Sequence, residues 1–240
     1  MMMEKHASFK HPKPIIPRFL VFLFSTCLLF IIFYAAFTTL FHMKGMYDHS
    51  TDPLLQEKNT AILTYLDESL FAQNTLVFLS DAERSHMSDV KQVFDIVFLA
   101  YLVALGILLG ITAMFMYCKN WPRLDELLTR SFRAVGWIIL GMCFFFGVGA
   151  FLDFTKLWIL FHVFFFPQGN WAFAANSTLI TLYPESFFMQ FLLFWLLIIS
   201  VFGVVLVAIS YIMKHMKNAE QEFHDKYERR ELRRKSSLKR

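Results

Sequence analysis

Two of the eight histidines sit where an imidazole could do chemistry. His86 lies in Glu83-Arg84-Ser85-His86-Met87-Ser88-Asp89, flanked by acids at three-residue spacing. On a helix this spacing puts Glu83, His86 and Asp89 on one side. A carboxylate beside an imidazole fixes its tautomer and stabilises its protonated form. His162 lies in Leu160-Phe161-His162-Val163-Phe164-Phe165-Phe166. Burial in so apolar a run lowers the ring's pKa and keeps it neutral, the state a general base needs. Each histidine also has a plain reading. His162 can be satisfied by a backbone carbonyl. His86 can belong to a polar helix in which Glu83 is only a cap and Asp89 pairs with Arg84 or Lys91.

Other chemistries find less support. Glu83 and His86 form one ExxH pair, whereas di-metal bundles need two such pairs and further carboxylates, so no metal is expected. Cys27, Cys118 and Cys143 are far apart, with no CxxC or Cys/His cluster, which argues against a disulfide framework or a zinc site. P-loop, GxSxG and HExxH patterns are missing, so neither nucleotide chemistry nor a serine nucleophile is expected. His6, His11, His42 and His49 fall in loops or the N-terminal tail, and His215 and His224 in the C-terminal tail, where solvation is the simpler reading.

The two histidines must be positioned by a chain that is 57% hydrophobic, with 30 phenylalanines. Soluble domains run at about 45–50% apolar. The excess is collected into four runs, 19–41, 94–117, 134–154 and 188–213. A run of about 20 apolar residues crosses a bilayer as a helix, because lipid offers the backbone no hydrogen-bond partners. A fifth run, 157–166, is too short to cross and reads as an interfacial or re-entrant piece. The first run is too long for a signal-peptide core and lacks a small-x-small cleavage site, so it reads as a retained anchor. The expected fold is an all-α integral membrane protein of four transmembrane helices. It has a tail over 1–18, a membrane domain over 19–213 and a basic tail over 214–240.

Charge sets the expected orientation. The N-terminal tail carries four Lys or Arg, the loop 118–133 four and the C-terminal tail ten, whereas the loops 42–93 and 155–187 carry five together. The positive-inside rule then puts both termini in the cytoplasm and the two long loops outside. The net charge of +4 therefore lines a membrane face and does not indicate nucleic-acid binding. Anionic lipid headgroups are the expected partner of the tail, where Glu222/Lys226 and Asp225/Arg229 at i,i+4 spacing support a helix.

The loops carry their own signals. Asp52-Pro53 reads as the start of an amphipathic helix through Leu54, Ala61, Ile62, Tyr65, Leu66, Ser69 and Leu70, lying on the membrane or on the spans. Ser80-Asp81-Ala82-Glu83 reads as a capping box opening a helix that runs past His86 and Asp89 into the second span. In the second loop, Trp158, His162 and Phe165 can share one side of an interfacial helix. A turn at Pro167-Gln168-Gly169-Asn170 follows. A polar stretch, Ala175-Asn176-Ser177-Thr178, precedes Tyr183-Pro184-Glu185, where the fourth span begins. Charges near mid-span are missing, which argues against a conduction pathway.

These motifs resemble a known family. Asp81 to Val90 is similar to an acidic-x-x-His-Met-x-Asp-Val segment. His162-Val163-Phe164-Phe165, Asn170-Trp171-Ala172-Phe173 and Leu182-Tyr183-Pro184-Glu185-Ser186-Phe187-Phe188 resemble a second signature. Both belong to the lipoprotein intramolecular transacylase (Lit) family of Gram-positive bacteria, and four spans with motifs in the two outer loops fit it. The resemblance implies a multi-pass plasma-membrane enzyme with its site on the extracellular side. Its substrate would be a diacylated lipoprotein with a free α-amine on its N-terminal Cys. The sn-2 acyl chain moves to that amine, giving the lyso form.

The implied reaction turns an ester into an amide, which is downhill and needs neither nucleotide nor cofactor. Donor and acceptor share one molecule, so positioning supplies much of the rate. The resemblance implies His86 and His162 as the acid/base pair, with Asp89, Glu83 and Arg84 as supporting residues. Asn170, the Trp171 indole or backbone amides of the Gln168–Asn170 turn would serve the oxyanion, and Tyr183 and Glu185 the substrate. Two other functions compete: a non-catalytic membrane interaction or sensor protein, and a metal-dependent membrane hydrolase. The first would tolerate replacement of one or both histidines, and chelation would stop the second.

Overall fold

The structure is a computed structural model and describes residues 16–43, 45, 47, 52–67 and 76–238. The described residues form six helices and no strand: α1 (Arg18–Phe41), α2 (Pro53–Asp67), α3 (Asp81–Tyr117), α4 (Trp121–Phe165), α5 (Thr178–Leu182) and α6 (Glu185–Ser237). α1, α3, α4 and α6 are each long and apolar enough to cross a membrane, one for each long apolar run. Their outward side chains, such as Phe144, Phe145 and Phe151, are apolar and exposed, as a lipid solvent requires. The N-terminal tail up to residue 15, His49, Ser69 and Leu70 lie outside the described residues.

The bundle is held along α4 and α6. Val135 and Ile139 of α4 interleave with Leu196, Ile199 and Leu206 of α6, and Ile32 and Ala36 of α1 close the cluster. Gly136 allows the closest approach: a Cβ there would stand 2.8 Å from the Gly203 carbonyl oxygen and 2.6 Å from a Val207 methyl. Small residues at such crossings let backbones meet where lipid supplies no hydrophobic drive between helices.

Several boundaries differ from the sequence-based expectation, each for a local reason. The middle loop expected over 118–133 is a turn through residues 118–120, because α4 starts at Trp121 with Pro122 in its first turn. Its first turns bury Leu124 and Leu127 against Phe24 and Phe115. Lys217 of α6 then bridges Asp125 at 2.6 Å and Glu126 at 3.3 Å. In the tail, Lys226 pairs with Glu222 at 2.7 Å as expected. Arg229 instead donates to the backbone carbonyl of Asp225.

The short run 157–166 is the second limb of α4. The helix breaks at Asp153 (φ −165°, ψ 87°). There the Asp153 carboxylate accepts the backbone N–H of Lys156 at 3.0 Å, which is how a capping residue opens a new helix. The second limb is held by the Thr155 hydroxyl, which donates to Glu185 at 2.6 Å.

The two long loops fold onto each other at one end of the bundle. Asp52 accepts the Leu54 N–H at 2.9 Å and opens α2. Ile62, with Tyr65 and Leu66 beside it, packs against Leu76, Leu79, Met87 and Leu179. α2 therefore rests on the core of the two loops, and not on the membrane or the spans as expected, because Leu76, Leu79 and Leu179 supply its apolar partners. The stretch before the fourth span holds a helix that the sequence reading left unassigned: Ser177 accepts the Ile180 N–H at 3.3 Å and opens α5.

The Gly136 crossing sets a stability prediction. Gly136→Ala should force α4 and α6 apart and destabilise the fold by about 1–3 kcal/mol. A lower thermal midpoint in detergent, against an unchanged midpoint for Gly147→Ala in open space, is the expected result.

Candidate active site

α3 and the second limb of α4 bring the two histidines together. The ring centroids of His86 and His162 lie 6.0 Å apart with planes 30° from parallel. Their exposures are 8% and 5%, so both are buried. His86 stands on the first turns of α3, on the side that carries buried Glu83 and Met87. His162 is the inward residue of an otherwise exposed apolar limb: Leu160, Phe161, Val163 and Phe164 all face outward.

Aromatic rings enclose the pair. His86 meets Phe166 edge-on at 4.8 Å and Phe173 at 5.6 Å. His162 packs on Trp158 at 4.1 Å and on Trp171 at 4.9 Å. Phe166 also reaches His162 at 5.7 Å. Such walls desolvate an imidazole and offer it no counter-charge. Burial, then the neighbouring His162, pulls the pKa of His86 down to about 4, against the opposing pull of Asp89 and Asn170. His162 is lowered as well, by burial, against a hydrogen bond donated to the Trp158 carbonyl that favours the charged ring. Both rings are therefore neutral at neutral pH. His162 Nδ1 lies 2.9 Å from the Trp158 carbonyl oxygen. A carbonyl only accepts, so Nδ1 carries the proton and Nε2 carries the lone pair.

The supporting residues divide by position. Asp89 Oδ2 accepts from Asn170 Nδ2 at 2.6 Å and from Gln168 Nε2 at 2.7 Å, binding the 167–170 turn to α3. Gly169, at φ +79°, supplies a left-handed conformation that this turn needs. Asn170 Nδ2 also reaches Ser85 Oγ at 3.2 Å, so both amide hydrogens are engaged. The indole Nε1–H of Trp171 makes no hydrogen bond among the described residues. Arg84 is turned away, paired with Asp81 and donating to the Leu79 carbonyl at 2.6 Å. Tyr183 donates to Asn59 of α2, and Glu185 holds Thr155. Among the described residues no three His, Cys, Asp or Glu side chains gather as a metal site would need.

Glu83 has a role that its capping signal only half announces. Its carboxylate is 3% exposed. One oxygen accepts from the Ser80 backbone N–H at 2.9 Å and from the Ser80 hydroxyl at 2.8 Å, completing the capping box. The other accepts the Leu179 N–H of α5 at 2.9 Å. Burial raises its pKa, but donors from Leu179, Ser80 and Thr178 outweigh burial and hold it below the usual carboxylate range. The local signal at Ser80–Glu83 was legible. The long-range bond to Leu179 had no sequence signature, because Ser177, the cap that turns α5 toward Glu83, sat in a stretch read only as polar.

Four helices long and apolar enough to cross a membrane, with an imidazole pair buried where two loops meet, define a multi-pass membrane protein. A family model described as "Lipoprotein intramolecular transacylase Lit" matches residues 14–188, and the chain belongs to that family of membrane acyltransferases. The fold agrees. The membrane-integral lipoprotein intramolecular transacylase Lit from Bacillus cereus, solved in meso, is 20% identical with a TM-score of 0.69, covering 84% of this chain and 97% of that one. A form of that protein with a histidine replaced by arginine gives 19%, 0.63, 85% and 94%. A form with a histidine replaced by alanine gives 19%, 0.62, 84% and 95%. No curated protein matches the chain by sequence.

The Glu83 bond sets the next prediction. Glu83→Ala leaves the Leu179 N–H buried without a partner, at a cost of about 1–3 kcal/mol. The variant should melt earlier in detergent and be cleaved faster by protease between α5 and α6. Equal proteolysis of variant and wild type would mean that the bond does not hold the loops together.

Proposed function

We propose that this chain is a lipoprotein intramolecular transacylase that moves the sn-2 acyl chain of a diacylglyceryl-Cys onto the α-amine of the same Cys. Both termini lie in the cytoplasm and the histidine pair sits at the extracellular face. The observation that carries the reading is the buried pair itself: two neutral imidazoles, 6.0 Å between centroids, beside an apolar limb that faces outward. That limb lets a lipidated substrate approach from the bilayer with its acyl chains still in lipid.

The bookkeeping of the reaction is short. The neutral amine attacks the sn-2 ester carbonyl, forming a C–N bond and placing negative charge on the carbonyl oxygen. An imidazole takes the proton from the attacking nitrogen. The tetrahedral centre then collapses, the C–O bond breaks, and the same proton goes to the departing glycerol oxygen. No external base, water or nucleophilic side chain enters the balance. A neutral His162, with its lone pair on Nε2, is suited to the first transfer. The free indole N–H of Trp171, packed on His162, is the polar donor best placed for the oxyanion. Restricting attack to one molecule removes the entropy of bringing two together.

Replacement tests the assignment. His86→Asn and His162→Asn should each abolish the acyl shift while expressing and folding as wild type. The readout is mass spectrometry of a lipoprotein N-terminal peptide from cells with and without each variant. A free α-amine that stays unchanged in the presence of the wild-type chain would reject the reaction. Full activity in either variant would reject the pair.

The pH dependence has a defined sign. Both histidines are held below their ordinary range, His86 to about 4, so the base form is already complete at neutral pH. The substrate amine, with an ordinary pKa of about 7.7–8.0, is the group that loses reactivity first on acidification. Thus kcat/KM should fall with unit slope below about pH 8, and any further steepening from the histidines should come below pH 6.5. A break near pH 6.5 in kcat/KM would show a histidine titrating as in water.

A further inference from the structure

We propose that Asn170 is a positioning residue whose carbonyl oxygen holds the proton on His86 Nδ1 and so leaves the His86 lone pair on Nε2. Its catalytic meaning rests on the acid/base reading above; its structural content does not.

The orientation of the Asn170 amide follows from its neighbours. Asp89 Oδ2 lies 2.6 Å from Asn170 Nδ2. An ionised carboxylate has no proton to give, so the amide must turn its NH2 group toward it. Gln168 donates to the same oxygen from 2.7 Å, which fixes that oxygen as an acceptor. The second amide hydrogen is directed to Ser85 Oγ at 3.2 Å. Asn170 therefore has no N–H left for an oxyanion, and what remains on its other side is a carbonyl oxygen.

That oxygen and His86 Nδ1 form a complementary pair of orphans. Among the described residues, Asn170 Oδ1 and His86 Nδ1 are both buried and both lack a hydrogen-bond partner. The Asn170 amide is tied to Ser85 and Asp89, on either side of His86 in α3, and its side chain also acts on the ring. The other groups against His86 are His162, Phe166 and Phe173, of which the two phenylalanines have no acceptor to offer. A buried acceptor left without a donor is costly, and only one neutral tautomer of His86 supplies the donor. That tautomer has its proton on Nδ1.

The result matches His162, whose Nδ1 proton is held by the Trp158 carbonyl. Two unrelated devices, a side-chain amide and a helix carbonyl, then impose one tautomer on both rings. Each ring carries a free Nε2 lone pair. The resting pair holds no acidic N–H on Nε2, so it receives its working proton from the substrate amine.

The test is 15N NMR of the full chain in detergent at pH 7, with labelled histidine and the His86 signals assigned by their loss in His86→Asn. The expected spectrum shows His86 Nδ1 as the protonated, pyrrole-type nitrogen and Nε2 as the bare, pyridine-type nitrogen. Asn170→Ala should move His86 toward the Nε2–H tautomer that imidazole prefers in water. It should also lower kcat by about 10- to 100-fold, the usual range for a supporting contact, with KM little changed. Asn170→Gln keeps a side-chain amide with both a carbonyl and an NH2 group and should keep the wild-type tautomer. A pyridine-type Nδ1 in the wild type, or an Nδ1 proton that survives in Asn170→Ala, overturns the inference. If Asn170→Ala does not fold, the wild-type and Asn170→Gln spectra decide the matter. The ring signals are read without substrate, so their outcome is separate from a failure to see acyl transfer.

Discussion

The arrangement depends on a buried carboxylate. Glu83 lies nearly out of solvent and stays ionised because three sets of donors surround it. Without it the first turn of α3 loses half of its capping box and α5 loses its bond to α3, so the two loops are free to separate. The histidines sit on different loops, and neither loop alone defines a site. An apolar contact could hold the loops near each other. A carboxylate with directed N–H partners also fixes how far α3 slides past α5, and hence where His86 stands relative to His162.

The same economy appears around Asp89. Its carboxylate does not touch an imidazole as a local reading of Glu83-x-x-His86-x-x-Asp89 would suggest. It instead anchors the turn that follows the second limb of α4, through Gln168 and Asn170. Both acids of the motif therefore act between loops. Their spacing around His86 is a consequence of helical geometry: residues three apart on α3 all face the second loop, so each can take a partner from it.

Much of this was legible in the sequence, for physical reasons. Long apolar runs are nearly unambiguous because a bilayer leaves the backbone no other solution. The capping box at Ser80–Glu83 and the Asp52-Pro53 start of α2 are local hydrogen-bond patterns, and local patterns survive in the sequence. The pairing of His86 with His162 was anticipated from the placement of the two motifs, helped by the family resemblance. The rest lay in long-range contacts. Leu179 gives no sign that its N–H will meet Glu83. Arg84 looks like a partner of the active motif and turns instead to Asp81. The break in α4 was hidden because the residues next to Asp153, 150–157, include neither glycine nor proline. The turn at 118–120 was hidden because basic residues between two spans read as a loop whether or not they are helical.

The break at Asp153 has a consequence for how the protein meets membranes of different thickness. A continuous rod must tilt as a whole when its apolar length and the bilayer disagree, at a modest energetic cost per ångström. Here the rod is jointed, and the joint lies between the spanning part of α4 and the limb that bears His162. A change in bilayer thickness can be absorbed as an altered angle at the joint. The limb stays fastened to α6 through Thr155 and Glu185, so the imidazoles keep their separation while the spans adjust beneath them.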